Sequence, residues 1–223
     1  MIVGFVGFIG SGKGTAGDIL EQEYGFAKES FAKGVKDIAA VMFGWPRHML
    51  EGDTDESRVW REQSSDYWTK KFGRSFTPRE ALQLVGTEVG REIFHENFWV
   101  MNLENRINKN NNYVITDVRF PNEIKWIQNS GGIVIEIQRG KNPSWYDTLY
   151  HYEHDSDYRR DYMKKYNVHE SEWAWVGHSM NETIQNNGTK NDLKRNVISA
   201  LTKSFGASKI NELIHDGEKN EVI

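Results

Sequence analysis

The sequence predicts an α/β fold: a five-stranded parallel sheet with helices on both faces. Three observations carry the prediction. Short apolar runs alternate with amphipathic stretches along the chain. The first run, residues 1–6, is continuously apolar, as a strand covered on both faces must be. It passes directly into the glycine-rich stretch Gly7-Phe8-Ile9-Gly10-Ser11-Gly12-Lys13-Gly14-Thr15 and then a helical pattern. Strands separated by helices pair in parallel through crossovers, which place helices over the sheet.

The elements follow in order. After the strand at 1–6, residues 13–24 read as a helix, 26–30 as a short strand and 33–43 as a second helix. Thr77-Pro78 is a helix start, with Thr at the cap and Pro in the first turn. The helix from 78 to about 94 buries Leu82, Val85, Val89 and Ile93 at helical spacing. Arg79, Gln83 and Thr87 lie four apart and share the opposite face. Residues 98–108 form a further helix, 113–117 a strand, and 121–130 a helix led by Pro121. Residues 133–137 are another strand, and 180–185 alternate weakly as the last. The closing helix, 190–205, stacks Leu193, Val197 and Leu201. Two polar, charged, aromatic-rich segments, 45–76 and 140–178, show no regular period, and a polar tail runs from 206 to 223.

Composition bounds the function. The 223 residues carry 28 Lys and Arg against 32 Asp and Glu, a net charge of −4. That argues against a dedicated nucleic-acid or polyanionic-membrane surface, which needs clustered cations. Mean hydropathy is −0.69, yet 13% of residues are aromatic, eight of them Trp, so bulky rings can order a core. The absence of cysteine removes disulfides, thiolate nucleophiles and Cys-based zinc sites. No apolar run approaches the roughly 18 residues that span a bilayer, and Met1 is not followed by a basic leader. The expectation is a soluble cytoplasmic protein without membrane or nucleic-acid contacts. His151, His154 and His169 lie in charged stretches and read as solvated side chains, not metal ligands.

The stretch from Gly7 to Thr15 has the composition of a phosphate-binding loop. Glycines let the backbone wrap closely, so that N–H groups and the helix N-terminus face phosphate oxygens. Lys13 then places a charge between the β- and γ-phosphates. Gly10, Ser11, Gly12, Lys13, Gly14 and Thr15 are the ATP-binding candidates, and the fold class becomes a three-layer P-loop NTPase type. The hydroxyl follows Lys13 by two places rather than one, so magnesium is expected through water rather than by direct side-chain ligation. GxxGxGKGT resembles the loop of nucleoside monophosphate kinases. No N-K-x-D base-reading motif of a GTPase occurs. The strand Tyr113-Val114-Ile115-Thr116-Asp117 ends in one acid, unlike the paired acids of motor ATPases. A small-molecule kinase remains. A dianionic acceptor beside a tetra-anionic donor needs cations besides Lys13 and Mg²⁺, and Lys36, Arg79 and Arg119 are the candidates. Asp117 lies at the carboxyl end of its strand, where open α/β sheets place ligand groups.

Four blocks sharpen this: the loop; Ser30-Phe31-Ala32-Lys33-Gly34-Val35-Lys36-Asp37; Leu82-Gln83-Leu84-Val85-Gly86-Thr87-Glu88 with Phe98-Trp99-Val100; and Ile115-Thr116-Asp117-Val118-Arg119-Phe120-Pro121-Asn122-Glu123. A looser fifth joins His169-Glu170-Ser171-Glu172 to Ile184-Gln185-Asn186-Asn187-Gly188-Thr189. In these blocks the chain resembles the phage-type deoxynucleoside monophosphate kinases. The resemblance implies phosphoryl transfer from ATP, with Mg²⁺, to a deoxynucleoside monophosphate such as dGMP, dTMP or a dCMP analogue. It implies catalytic roles for Lys13, Arg79, Asp117 and Arg119, and an acceptor site of Val35, Lys36, Arg79, Gln83, Gly86, Thr87, Trp99, Asp117, Arg119 and Glu123. It implies one domain over 1–205, with an acceptor-binding arm at 45–76 and a lid-like insert at 140–178, both mobile. A viral source would place the enzyme in the host cytoplasm.

Alternatives stay open at several residues. Trp99 is a base-stacking face or core. Glu123 is a substrate contact or a first-turn helix acid. Asn187 and Gly188 border the adenine of ATP, or with Thr189 merely cap the last helix. The exposed rings line a substrate site or a homodimer interface. Two other functions compete: a dephospho-coenzyme A kinase of the same architecture, and a nucleotide-binding interaction protein without turnover.

Overall fold

A computed structural model of the chain describes the backbone of residues 1–220 and the side chains of residues 1–213. In chain order the elements are β1 (Ile2–Val6), α1 (Lys13–Tyr24), β2 (Ala27–Glu29), α2 (Lys33–Phe43), α3 (Asp55–Glu62), α4 (Asp66–Phe72) and α5 (Pro78–Gln83). A π-helical stretch (Leu84–Phe94) comes next, then α6 (Phe98–Arg106), β3 (Tyr113–Ile115), α7 (Pro121–Asn129) and β4 (Ile133–Gln138). The chain continues through α8 (Tyr146–His151), α9 (Ser156–Lys164), a 3₁₀ turn (Glu170–Glu172), β5 (Glu182–Gln185), α10 (Lys190–Phe205) and α11 (Ala207–Asn220). It divides into two compact units: residues 1–30 with 107 onward, and residues 31–106.

The first unit holds the sheet, ordered β2-β3-β1-β4-β5 and parallel throughout. The first crossover runs from β1 out to β2, while the one after β3 passes over β1 to β4. The carboxyl end of β1 is therefore the topological switch point, where such sheets take ligands. The alternation of side chains along β1 fixes which helices cover which face. Val3 and Phe5 join Ile19 and Leu20 of α1, Val197 and Leu201 of α10, and Ile210 of α11 in one core. On the other face α7 comes so close that a Cβ on Gly4 would stand 2.6 Å from Ile127 Cδ1. Each fully buried side chain of this kind, such as Ile135, contributes about 1.5–3 kcal/mol.

Four of the five strands are shorter than the sequence predicts, because bounding residues such as Thr116 and Met180 make no ladder pair, while β4 runs one residue further, to Gln138. The tail expected from 206 instead forms α11, tied into the core by buried Ile210. The two segments without a period contain short helices. Thr54 caps α3 through a reciprocal pair with Ser57, and Asp155 caps α9. The segment at 140–178 is anchored: Trp145, Leu149, Met163, Trp173 and Trp175 are all buried. Arg159 is also buried, and its NH2 donates to the carbonyls of Trp173 (3.2 Å), Ala174 (3.3 Å) and Val176 (2.8 Å).

The helix expected from 78 to 94 is α-helical only to Gln83 and π-helical beyond. Trp99 supplies the physical reason. Its Nε1 donates to the Gly86 carbonyl at 2.6 Å, and its ring fills the space a Cβ on Gly90 would need, at 2.5–2.7 Å. A side chain that takes a helix carbonyl and wedges against a glycine unwinds the ladder locally. Bonding i→i+5 winds less per residue, so the four-residue register fails beyond Gln83. Ile93, expected in the core, is 72% exposed. Thr87, expected on the polar face with Arg79 and Gln83, is buried.

Candidate active site

The loop after β1 needs its glycines. Gly7, Gly10 and Gly12 have φ of 144°, 80° and 108°, a region that favours glycine. A Cβ on Gly7 would strike the Ile137 carbonyl of β4, and one on Gly12 would strike the Asn186 side chain. Gly12 is also the N-cap residue of α1 and provides no side-chain cap. The first-turn N–H groups of a 12-residue helix are thus open to an anion.

Ser11 is buried, and its Oγ has no hydrogen-bond partner. A buried hydroxyl without a partner costs about 1–3 kcal/mol, which a phosphate oxygen here would offset. Lys13 Nζ donates to the carbonyls of Gly7 (2.6 Å) and Phe8 (2.9 Å), which uses two of its three N–H groups. Burial and then the charge of Arg119 push the Lys13 ammonium down to about 8, against the opposing pull of Glu172 and Asp117. An orphaned hydroxyl, an uncapped helix end and a desolvated ammonium fit a polyphosphate.

Asp117 lies two residues beyond the end of β3, and its Oδ2 accepts from Ser30 Oγ at 2.7 Å. Arg119 NH1 donates to Glu172 Oε1 at 2.6 Å and to the Ser171 carbonyl at 3.3 Å. Burial alone would lower the Arg119 guanidinium, but Glu172, Asp117 and Glu123 outweigh it and hold it above its ordinary value. The first unit therefore brings Lys13, Asp117, Arg119 and Glu172 within electrostatic reach of one another. Gly14 is exposed and Thr15 half-buried in the first turn of α1.

Several expected side chains are otherwise engaged. Glu123 is buried, and its Oε2 accepts from the backbone N–H of Arg119 (2.7 Å) and Phe120 (3.0 Å). It caps α7 and fixes the backbone that carries Arg119, the part of a first-turn helix acid. Asn187 Oδ1 accepts from Gly140 N at 2.9 Å, and the adjacent Gly188-Thr189 turn closes on Asp192, whose Oδ2 accepts from Thr189 N at 2.8 Å. The residue that reaches the loop is Asn186, whose Nδ2 donates to Ser11 O at 2.7 Å. Asn186, Ser30 and Glu172 contact Ser11, Asp117 and Arg119; none is a candidate from sequence, although each lies within a block that carries the resemblance.

In the second unit, Val35 is buried on α2, and a Cβ on Gly86 would meet it at 3.5 Å. Trp99 is 3% exposed, with its N–H on Gly86 and its ring enclosed against Gly90 and Gly34, as the core alternative requires. Lys36, expected to meet phosphate, is tied to Glu51 at 2.5 Å. Glu51 is shared with Arg47; burial would raise its carboxyl, but the two cations outweigh that and lower it. Arg79 NH1 stands 3.2 Å from Glu62 Oε1, one turn before half-buried Gln83. Among the described residues no three His, Cys, Asp or Glu side chains could hold a metal ion together, and no helix is long and apolar enough to cross a membrane.

Comparison with known proteins follows the same lines. A family model described as deoxynucleotide monophosphate kinase matches residues 48–151. A protein of Acanthamoeba polyphaga mimivirus designated a deoxynucleotide monophosphate kinase is 33% identical, over 62% of this chain and 74% of its own length. The deoxynucleoside-5′-monophosphate kinase of Escherichia phage T5 is 29% identical, over 55% of this chain and 70% of the phage protein. Among solved structures, shikimate kinase from Aquifex aeolicus aligns with 93% of this chain and all of its own at a TM-score of 0.43 and 12% identity, too loose to bear on function. The shared identity extends well beyond the phosphate loop, and the matched family model spans the stretch from α3 past Arg79 to Asp117 and Arg119; this chain belongs to the deoxynucleotide monophosphate kinase family and is a phosphotransferase acting on nucleotides.

Proposed function

We propose that the protein transfers the γ-phosphoryl group of ATP to a deoxynucleoside 5′-monophosphate (dGMP, dTMP or a dCMP analogue), giving the diphosphate and ADP. The observation that carries this reading is the cluster of Lys13, Asp117 and Arg119 around a loop whose Ser11 hydroxyl is orphaned.

Phosphoryl transfer passes through a loose transition state, so catalysis is positioning and charge stabilisation. The loop N–H groups, Ser11, Gly14 and Thr15 hold the ATP phosphates. Lys13 stabilises charge as it develops on the transferred group. Arg119, with Asp117 near it, is a second cation at the carboxyl end of the sheet and meets the phosphate of the acceptor. Within the second unit, Arg79 and Gln83 on α5 are the phosphate-binding candidates, and Gly86, Thr87 and Val35 shape a surface for an acceptor. Asp117 orients the attacking phosphate oxygen. No strong base is required, because a phosphate monoester is already ionised at pH 7. Mg²⁺, when bound with ATP, neutralises developing charge on the phosphoryl oxygens; Asp117 and the Ser11 and Thr15 hydroxyls are the oxygens able to hold its waters.

The test is a coupled ADP-release assay with ATP, Mg²⁺ and a panel of ribo- and deoxynucleoside monophosphates together with dephospho-coenzyme A. Turnover on one or more deoxynucleoside monophosphates is expected. Activity on dephospho-coenzyme A alone would overturn the acceptor assignment, and ATP binding without turnover on any acceptor would leave a binding protein.

A further inference from the structure

Glu172 lies in neither the phosphate loop nor the stretch around Asp117, yet it is the side chain that holds Arg119. It ends the 3₁₀ turn and accepts from Arg119 NH1 at 2.6 Å, while the Ser171 carbonyl takes the same nitrogen at 3.3 Å. Both contacts use a single nitrogen. A guanidinium has five N–H donors in a planar fork, and among the described residues no acceptor meets the Nε or NH2 of Arg119. A tie at NH1 therefore sets the plane of the group and leaves its other edge for a two-oxygen acceptor such as a phosphoryl group.

The turn is itself held in place. His169 Nδ1 accepts from Ser171 N at 3.2 Å and lies 2.9 Å from Ser171 Oγ. Trp175 Nε1 donates to the Glu172 carbonyl at 3.1 Å, and the Trp175 ring packs on Phe8 of the phosphate loop at a centroid distance of 4.9 Å. Loop, Trp175, Glu172 and Arg119 thus form a continuous series of contacts within one unit. Glu172 also offsets the repulsion between two neighbouring cations, since its charge acts on Lys13 against that of Arg119.

We propose that Glu172 is a positioning residue, which anchors the Arg119 guanidinium by one nitrogen so that its free edge orients the attacking phosphate of the acceptor beside the phosphate loop. The inference rests on the kinase reading above. Removing the carboxylate leaves the Arg119 charge in the site but releases its orientation, so kcat suffers more than substrate affinity.

The experiment is steady-state kinetics of Glu172→Gln and Glu172→Asp, each with and without Arg119→Ala. Glu172→Gln lowers kcat ten- to hundredfold with both KM values within threefold of wild type, and Glu172→Asp recovers part of the loss. On the Arg119→Ala background Glu172→Gln costs less than a further threefold, because the group it orients is gone. With Arg119 present, Glu172→Gln also moves the basic limb of the pH–rate profile to lower pH, since Lys13 then faces Arg119 with Asp117 as its remaining carboxylate. A Gln variant within twofold of wild-type kcat, or one whose loss is undiminished on the Arg119→Ala background, overturns the proposal. If the Gln variant fails to fold by thermal melting, the Asp variant and its Arg119→Ala pair decide the question. The Arg119 Nη–H resonances, resolved in wild type by the tie at NH1 and averaged by rotation and exchange in the Gln variant, read the tether without substrate. Loss of the tether is therefore distinguishable from failure of the kinase reading, which would show as wild-type protein producing no diphosphate.

Discussion

Raising the pH through 8 makes ATP binding take up a proton at Lys13. In the ligand-free protein the ammonium is pushed from 10.5 down to about 8, first by burial and then by Arg119. That fall sets about 3 kcal/mol against the charged form. A polyphosphate beside Lys13 restores the charged form, so binding is accompanied by proton uptake wherever the free enzyme has released one. With free Lys13 half-protonated near pH 8, uptake is close to zero at pH 6.5, roughly half a proton at pH 8 and about 0.9 at pH 9. The sign for stability is fixed by the same shift. The folded value lies below the unfolded one, so between about 8 and 10.5 the unfolded chain binds more protons and stability rises with pH on account of this group. The assay is isothermal titration of ATP in buffers of different ionisation heat at pH 6.5, 8 and 9, with Lys13→Met as the control. Uptake that does not grow between pH 6.5 and 9, or that persists in Lys13→Met, would refute the argument that Lys13 is desolvated and aimed at the phosphates.

Three further predictions follow from single contacts. Arg119→Ala lowers kcat/KM for the monophosphate at least about 100-fold through lost charge stabilisation, read in the coupled assay; an unchanged value would reduce Arg119 to a structural residue. Asn186→Ala strands the Ser11 carbonyl that its Nδ2 holds at 2.7 Å, which lowers stability by about 1–3 kcal/mol and raises KM for ATP; unchanged melting and KM would show the loop needs no such brace. Trp99→Phe removes the bond to Gly86 and costs about 1 kcal/mol in a denaturant melt, with KM for the monophosphate nearly unchanged. A tenfold rise in that KM at unaltered stability would restore Trp99 as a base platform.

What the sequence made legible depended on how local the physics was. β1 and β4 read as strands because a strand covered on both faces must be apolar at every residue. The phosphate loop read as one because left-handed glycines and a following lysine are local requirements. The π-helical winding after Gln83 was hidden, since it depends on Trp99 reaching the Gly86 carbonyl thirteen positions away, and with it went the burial of Thr87 and the exposure of Ile93. Polar fates were hidden for the same reason. Glu123 belongs to the Arg119 backbone, Lys36 to Glu51, and Arg119 to Glu172 at 53 positions' separation. The aromatic excess was visible but its use was not: Trp145, Tyr146 and Trp175 pack around Phe8, so these rings fasten the 140–178 segment to the phosphate loop.

On the function proposed above, this loop drives phosphoryl transfer to a deoxynucleoside monophosphate. Its most direct test is chromatographic separation of products from ATP, Mg²⁺ and the best acceptor, with wild-type protein and Lys13→Ala side by side. Deoxynucleoside diphosphate and ADP are expected in equal amounts from the wild type, with a loss of several orders of magnitude in Lys13→Ala while the fold stays intact. ADP without diphosphate, or wild-type turnover in Lys13→Ala, would contradict it.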